Sequence, residues 1–120
     1  MSTVNLEINA IAKDLFKAID KNEKTIVETI FNHANRNGLT QCLLAYKSQN
    51  GDTALHRAVL SGNKAIVNPI IWSVINKNEL TKIMNARNRF FVSPIQIADL
   101  QTKSPIKKAL NTALWLFDKL

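Results

Sequence analysis

The chain has 120 residues, of which 46% are hydrophobic and 21% charged, a balance typical of a soluble globular protein that predicts one domain over residues 1–120. The net charge of +7 is uneven, because residues 61–120 hold nine Lys and Arg residues against three acidic ones, which favours solubility or an anionic partner. The single Cys42 excludes an internal disulfide, and the lack of a signal-peptide pattern or of an apolar run near ~20 residues predicts a cytoplasmic protein without a membrane span.

The first third of the chain has the periodicity of helices. Residues 1–9 are expected to form a short lead-in or a fraying start. Apolar residues at helical spacing predict one helix over Ile11–Ile19 and a second from about Glu23 to Asn35. The Asn37-Gly38 pair is typical of a helix end. The apolar segment Leu39–Ala45 that follows predicts an extra helical turn.

The most informative stretch runs from Asn50 to Ile71, with the sequence NGDTALHRAVLSGNKAIVNPII. An Asn50-Gly51 turn leads to Thr53, which is a good N-cap for a helix over Ala54–Leu60. A second turn then leads into a second helix. Pro69 is expected to kink that helix because proline cannot donate a backbone hydrogen bond.

The last third of the chain carries two Ser-Pro pairs, at residues 93–94 and 104–105. Each pair is typical of an N-cap followed by the first residue of a helix, so two more helices are predicted. The segment Glu79–Met84 is expected to repeat the extra turn of Leu39–Ala45. The tail, Ala109–Leu120, is expected to extend the last helix and to close the end of the fold.

These three parts are copies of one another at a spacing of about 40 residues, which lies in the range of solenoid repeats. One step back from the second part, the pairs are Leu55 with Leu15, Ala58 with Ala18, Ile66 with Ile26, Val67 with Val27, Ile70 with Ile30 and Ile71 with Phe31. One step forward, they are Leu55 with Ile95, Ala58 with Ala98, Leu60 with Leu100, Ile66 with Ile106 and Ile70 with Leu110. Two short helices cannot bury their apolar faces alone, so the copies are expected to stack.

The stretch GDTALHRAVLSGNKAIV, residues 51–67, resembles the ankyrin repeat, whose pattern is roughly G-x-T-P-L-H-x-A-x-x-x-G-x-x-x-I-V. The stretch MNARNRFFVSPIQIADL, residues 84–100, is similar to the lead-in of the same pattern. The resemblance implies an all-α, ankyrin-like helix-turn-helix repeat solenoid whose linkers are longer than in the family's repeat of about 33 residues. Its three repeats are expected at about residues 10–45, 46–85 and 86–120. Three positions depart from the pattern: Phe91 replaces Gly, Gln96 replaces His and Ala54 replaces Pro.

Ankyrin repeats bind partner proteins through a concave face made of hairpin tips and the exposed edge of each first helix, so the resemblance implies a non-enzymatic protein–protein interaction module. Carried over by position, the partner-binding residues are Gln49, Asn50, Asp52, Arg57, Leu60, Ser61, Arg89, Phe90, Val92, Leu100 and Gln101, with Asp20 and Lys21 from the first copy. Phe90 beside Arg89 is the sharpest feature, because aromatic and Arg side chains anchor interfaces. The alternative is that Phe90 or Phe91 packs beneath its turn, replacing the missing glycine.

No catalytic residue, metal site or cofactor is expected. His33, His56 and Cys42 fall in no metal-ligand spacing, and the sequence contains no phosphate-binding loop or nucleophile motif. The resemblance assigns His56 a structural role, in which it hydrogen-bonds the backbone of a neighbouring hairpin.

Three further hypotheses concern partners. The basic residues of the second half suit nucleic acid or an anionic surface, or else form only a solvated face; they are Lys82, Arg87, Arg89, Lys103, Lys107 and Lys108. So short a stack can self-associate through apolar surface at its ends. Abundant Asn, Ile and Lys are typical of AT-rich genomes such as those of intracellular bacteria. Their short ankyrin-like proteins are often delivered into host cells, so the last hypothesis is a host-directed effector in the host cytosol.

Overall fold

The computed structural model describes residues 3–101 and 105–119, with side chains from Glu7 onward, and in these ranges the chain is helical and contains no strand. The described residues form the helices α1 (Thr3–Asp20), α2 (Lys24–Arg36), α3 (Thr40–Ala45), α4 (Ala54–Ser61), α5 (Lys64–Ile71), α6 (Lys77–Met84), α7 (Pro94–Leu100) and α8 (Ile106–Lys119). The all-α expectation is therefore confirmed for this part of the chain.

The helices pack in two layers. Helices α1, α4 and α7 lie side by side in the first layer, and α2, α5 and α8 lie side by side in the second. Each first-layer helix also contacts one second-layer helix, in the pairs α1 with α2, α4 with α5 and α7 with α8. The short helices α3 and α6 lie in the linkers, so both predicted extra turns are confirmed as helical.

The first-layer helices α4 and α7 begin at the caps that the sequence marks. The Thr53 hydroxyl accepts a hydrogen bond from the backbone N–H of His56, and the His56 side chain accepts one from the N–H of Thr53. Ser93 and Gln96 form the same capping box at the start of α7. These reciprocal bonds satisfy two N–H groups that a helix start otherwise leaves without partners.

One apolar core fills the space between the layers. Its fully buried large side chains include Leu15, Ile19, Val27, Leu43, Leu55, Ile66, Ile70, Ile71, Leu80, Ile106 and Leu110. Burying each such side chain is worth roughly 1.5–3 kcal/mol. The equivalent positions are not all alike, because Ile66 is buried whereas Ile26 is 43% exposed. The difference arises because α5, which carries Ile66, packs between α2 and α8, whereas α2, which carries Ile26, has only α5 as a neighbour among the described helices of the second layer.

The first helix is longer than the sequence predicts. Helix α1 begins at Thr3 rather than at Ile11, so the expected lead-in is wrong for residues 3–9. Ile8 and Ala12 are buried and continue the apolar stripe of Leu15 at helical steps. Packing of that stripe against the core keeps the additional turns helical, since tertiary burial outweighs the tendency of a terminus to fray.

The two proline-containing helix predictions have different outcomes. Helix α5 continues through Pro69 but ends at Ile71, after 8 residues where its counterpart α2 has 13. Its length agrees with the missing N–H, because the helix stops within one turn of the proline. Helix α8 begins directly after Pro105, whereas Ser104, its expected N-cap, lies outside the described residues. The tail is confirmed as part of the last helix as far as Lys119.

Candidate partner-binding surface

Two tight turns of the same geometry precede the first-layer helices α4 and α7. In the 48–52 turn and the 88–92 turn, the N–H of the first residue donates to the carbonyl of the fifth, at 2.8 and 2.9 Å. In both, the N–H of the fourth residue donates to the carbonyl of the first, at 2.8 and 3.0 Å. The fourth residue has a positive φ in each turn: 80° at Gly51 and 61° at Phe91. The two turns are therefore equivalent in backbone geometry although one carries glycine and the other a bulky aromatic residue.

The two turns also contact each other. The backbone N–H of Arg89 donates to the carbonyl of Asn50 over 2.8 Å, and the side-chain amide of Asn88 donates to an Asp52 carboxylate oxygen over 2.9 Å. A Cβ added at Gly51 would lie 2.7 Å from the backbone nitrogen of Arg89. These contacts bring the predicted tip residues Asn50, Asp52 and Arg89 into one continuous surface.

His56 connects the helix α4 to the 88–92 turn from a buried position. Its Nδ1 accepts from the N–H of Thr53 at 3.0 Å, so Nε2 carries the proton and donates to the carbonyl of Val92 at 2.8 Å. Burial lowers the pKa of His56 below its ordinary value of 6.5, because desolvation opposes the charged imidazolium. The bond to Val92 and the charge of Asp52 partly offset this lowering. His56 is thus a neutral structural bridge, as the resemblance implied.

The lowered pKa of His56 predicts a pH dependence of stability. The unfolded chain binds a proton on this residue near pH 6.5, whereas the folded chain binds it only at lower pH. Between the two pKa values the unfolded state holds more protons, so the free energy of unfolding should rise with pH. The contribution is complete above pH 6.5 and is lost as the pH falls through the folded pKa. The free energy of unfolding can be measured by urea titration at several pH values across this range. It should rise more steeply with pH for the wild type than for His56→Gln, and an equal dependence on pH in the two proteins would contradict the assignment.

A cleft of about 370 Å³ lies between the 48–52 turn and the exposed edge of α4. It is lined by Asp20, Asn22, Asn50, Asp52, Arg57, Leu60 and Ser61. Five of these were predicted partner-binding residues, and Asp20 was assigned from the first copy. The structure therefore places five of the six predicted residues of the second copy around one cavity, without Gln49 and together with Asn22, which the sequence analysis did not select.

Arg57 is already engaged inside this cleft. Its guanidinium donates to both carboxylate oxygens of Asp20 and lies 5.9 Å from the centre of the Phe16 ring. The ion pair joins α4 to the end of α1, and it holds Arg57 in one direction. A partner would therefore meet a positioned Arg57–Asp20 pair.

Large apolar side chains are exposed on the 88–92 turn and on helices α4 and α7. Leu60 is 63% exposed, Phe90 67% and Leu100 81%, so all three remain candidates for contact. Phe91 is 74% exposed, which shows that the alternative of a Phe packed beneath its turn is wrong for both residues. Among the other predicted residues, Gln49 is exposed, Val92 is half-buried and Gln101 donates its side-chain amide to the carbonyl of Val59 at 3.0 Å.

A second groove was not predicted from the sequence. It has a volume of about 830 Å³ and lies between the second-layer helices α2 and α5, where Pro69, Trp72 and Ile75 contribute to its lining. Trp72 also stacks on Phe117 of α8, with ring centres 5.4 Å apart. The exposed Trp72 and Ile75 directly follow α5 in sequence, and their hydrophobicity was the signal that could have identified the groove.

Charged and metal-ligating residues show little clustering. Lys107 forms an ion pair with Asp99 at 2.9 Å, so part of the basic group in the last third is neutralised. Lys103, another member of that group, lies outside the described residues. Within the described ranges, no three His, Cys, Asp or Glu residues come together as metal ligands. In the same ranges, no helix combines the length and apolar character needed to cross a bilayer.

Phe91 occupies a backbone conformation that suits glycine, so Phe91→Gly should stabilise the protein. Relief of the left-handed conformation is worth roughly 1–2 kcal/mol, and the added flexibility of the unfolded chain removes roughly 0.5–1 kcal/mol of that gain. We expect a net increase of roughly 0.5–1 kcal/mol in the free energy of unfolding by urea titration. Phe91→Ala is the control, because it removes the ring and keeps the strain. A loss of stability in Phe91→Gly would mean that the ring packs against the fold.

The comparisons with known proteins give no family assignment, since no protein-family model, curated protein or solved structure matches the chain significantly. The ankyrin-like interpretation therefore remains a prediction based on the residues of 51–67 and 84–100. The candidate surface is defined by its geometry alone: the cleft beside α4, the two contacting turns and the exposed leucines of α4 and α7.

Proposed function

We propose that this chain is a stack of three ankyrin-like repeats that binds a partner protein, without catalysis, through the surface made of the two turns and the exposed edges of α4 and α7. The observation that carries the proposal is the exposure of Leu60 in the cleft, together with that of Phe90 on the adjoining 88–92 turn and of Leu100 on the adjoining helix α7. Exposed large apolar residues grouped in this way are typical of interaction sites.

The stacking part of the proposal is supported by contacts that recur at the repeat spacing. The turns at 48–52 and 88–92 have the same hydrogen bonds, and His56 bonds the backbone of the following turn. Side-chain bonds at similar separations link Arg57 to Asp20 and Gln101 to Val59. In a repeat stack each copy contacts only its neighbours, and this pattern of contacts is consistent with that arrangement.

The recognition part is supported by the division of the surface into apolar and polar parts. Leu60 and Leu100 occupy equivalent positions of α4 and α7 and would form the water-excluding centre of a contact. Asn50, Asp52 and the Arg57–Asp20 pair beside them would supply hydrogen bonds at its rim. Protein interfaces commonly combine an apolar centre with a polar rim in this way.

The proposal can be tested with a double variant, Leu60→Ser with Leu100→Ser, beside the matched control Ile75→Ser. Ile75 is 65% exposed but lines the groove between α2 and α5, far from the proposed surface in sequence and in helix layer. All three side chains are exposed, so each substitution should change stability by roughly 0.5 kcal/mol or less. The immobilised chain is incubated with cytosolic lysate, washed at high salt and analysed by mass spectrometry.

We expect a discrete protein that the wild type and Ile75→Ser retain and that the double variant loses. Equal retention by the double variant and the wild type would overturn the assignment of the surface. Retention of only nuclease-sensitive material that elutes with salt would instead favour the basic residues as a nucleic-acid site, because phosphate contacts weaken steeply with salt.

A further inference from the structure

The tip of the 88–92 turn carries two adjacent aromatic side chains that the fold does not use. Phe90 and Phe91 are 67% and 74% exposed, and neither lines the cleft beside the neighbouring 48–52 turn. Phe91 holds its ring there at a φ of 61°, where the equivalent residue is Gly51. A bulky residue at positive φ is strained, and an exposed ring gains nothing from burial to offset that strain. The pair therefore points to a role outside the fold.

The charges around this tip are mainly basic. Arg87 and Arg89 precede the two aromatic residues, and the ammonium of Lys47 donates to the carbonyl of Arg87 at 3.2 Å. The sequence from Met84 to Ala98 contains no acidic residue. The carboxylate of Asp52 contacts the turn and accepts a hydrogen bond from the side-chain amide of Asn88. The two aromatic residues are therefore accompanied by three basic side chains, those of Lys47, Arg87 and Arg89.

We propose that the 88–92 turn is a peripheral anchor for membranes that carry anionic lipids. Phe90 and Phe91 insert at the boundary between headgroups and acyl chains, where aromatic side chains are stable, and Arg87, Arg89 and Lys47 contact lipid phosphates. The exposure of both rings suits a deformable bilayer, because two adjacent aromatic side chains can enter the lipid together. Insertion of apolar side chains combined with attraction of cations is the usual basis of interfacial binding.

This inference goes beyond the proposed protein recognition and shares only the 88–92 turn and Phe90 with that surface. The cleft beside α4 and the exposed Leu60 and Leu100 lie on other elements and remain free for a protein when the turn is in contact with lipid. A chain anchored in this way would hold its protein-binding surface next to a membrane.

The test is co-sedimentation of the full chain with vesicles made of equal parts phosphatidylserine and phosphatidylcholine, compared with vesicles of phosphatidylcholine alone. We expect the wild type to sediment with the anionic vesicles and to remain in solution with the neutral ones. Phe90→Ala should lower the apparent affinity by about tenfold, since most of one aromatic side chain leaves the lipid. Arg89→Ala should lower it by about fivefold and reduce its salt dependence.

Phe91→Gly makes the test independent of folding, because it should lower vesicle binding by about tenfold while raising the melting temperature. Ile75→Ala, which removes an exposed apolar side chain elsewhere, should bind like the wild type. A wild type that stays in solution with anionic vesicles would overturn the proposal. Equal binding by the wild type and both Phe variants would overturn it as well, since net charge alone would then be responsible. Binding of the wild type to nucleic acid but not to vesicles would also overturn it.

Discussion

His56→Ala is expected to lower the free energy of unfolding by about 3–4 kcal/mol, a large share of the stability of so small a domain. The substitution removes the acceptor for the N–H of Thr53 and the donor to the carbonyl of Val92. Thr53 and His56 are both buried, so the Thr53 N–H loses its acceptor in the interior, whereas the Val92 carbonyl keeps only the bond from the Asn88 N–H. Each unsatisfied buried group costs roughly 1–3 kcal/mol. Urea unfolding followed by circular dichroism measures the loss.

His56→Gln is the matched control, because the chain itself uses glutamine at the equivalent position. Gln96 accepts from the N–H of Ser93 at 2.8 Å and completes the same capping box. His56→Gln should therefore keep the cap of α4 and lose only the bond to Val92, at about half the cost of His56→Ala. If the two variants lose equal stability, the cap contributes nothing, and if neither loses more than about 1 kcal/mol, the bridge to the 88–92 turn is not important for stability.

Gly51→Ala is the second large effect, with an expected loss of about 2–4 kcal/mol. The new Cβ would lie 2.7 Å from the backbone nitrogen of Arg89 and 3.2 Å from two backbone atoms of Asn88. Backbone cannot rotate away as a flexible side chain can, so the two turns must separate and the bond between Arg89 and Asn50 is lost. The positive φ of 80° adds a strain of roughly 1 kcal/mol or more for any residue with a Cβ.

Gly62→Ala separates the contact between the turns from the conformational strain. Gly62 has a similar φ of 72°, but an added Cβ there meets nothing within 4 Å. Its loss should be only about 1 kcal/mol. Thermal and urea unfolding of both variants gives the difference between them, which measures the contact between the 48–52 and 88–92 turns. Equal losses would mean that these turns move apart at little cost.

Local features of the sequence predicted most of the helices. Caps act over three residues, and helical periodicity acts over four, so Thr53, Ser93 and the apolar spacings carried the information needed for α4, α5 and α7. The repeat spacing likewise anticipated the helical linkers α3 and α6. The beginning of α1 was missed because its helicity depends on the burial of Ile8 and Ala12 against the core.

The sequence predicted which residues belong to the candidate surface. The pairing of its side chains and the shape of its cleft depend on contacts between residues that are far apart in sequence. The sequence named Asn50, Asp52, Arg57, Leu60 and Ser61, and the cleft joins them. It could not indicate that Arg57 is held by Asp20, 37 residues earlier, or that a groove lies between α2 and α5. Side-chain pairing between residues so far apart in sequence depends on how the helices pack in three dimensions.

The amino-acid sequence was sufficient to predict an all-α chain and the capped starts of α4 and α7, because periodicity, caps and turn residues act within a few neighbours. Only the tertiary structure decided which of the equivalent residues are buried. Ile66 is enclosed and Ile26 is not, since α5 has helices on both sides. Gly51 must be small because the 88–92 turn lies against it, whereas Phe91 occupies the equivalent position of its own turn with a side chain that is 74% exposed. The burial of a side chain depends on helices about 40 residues away in sequence, and a local sequence pattern does not show how closely those helices pack.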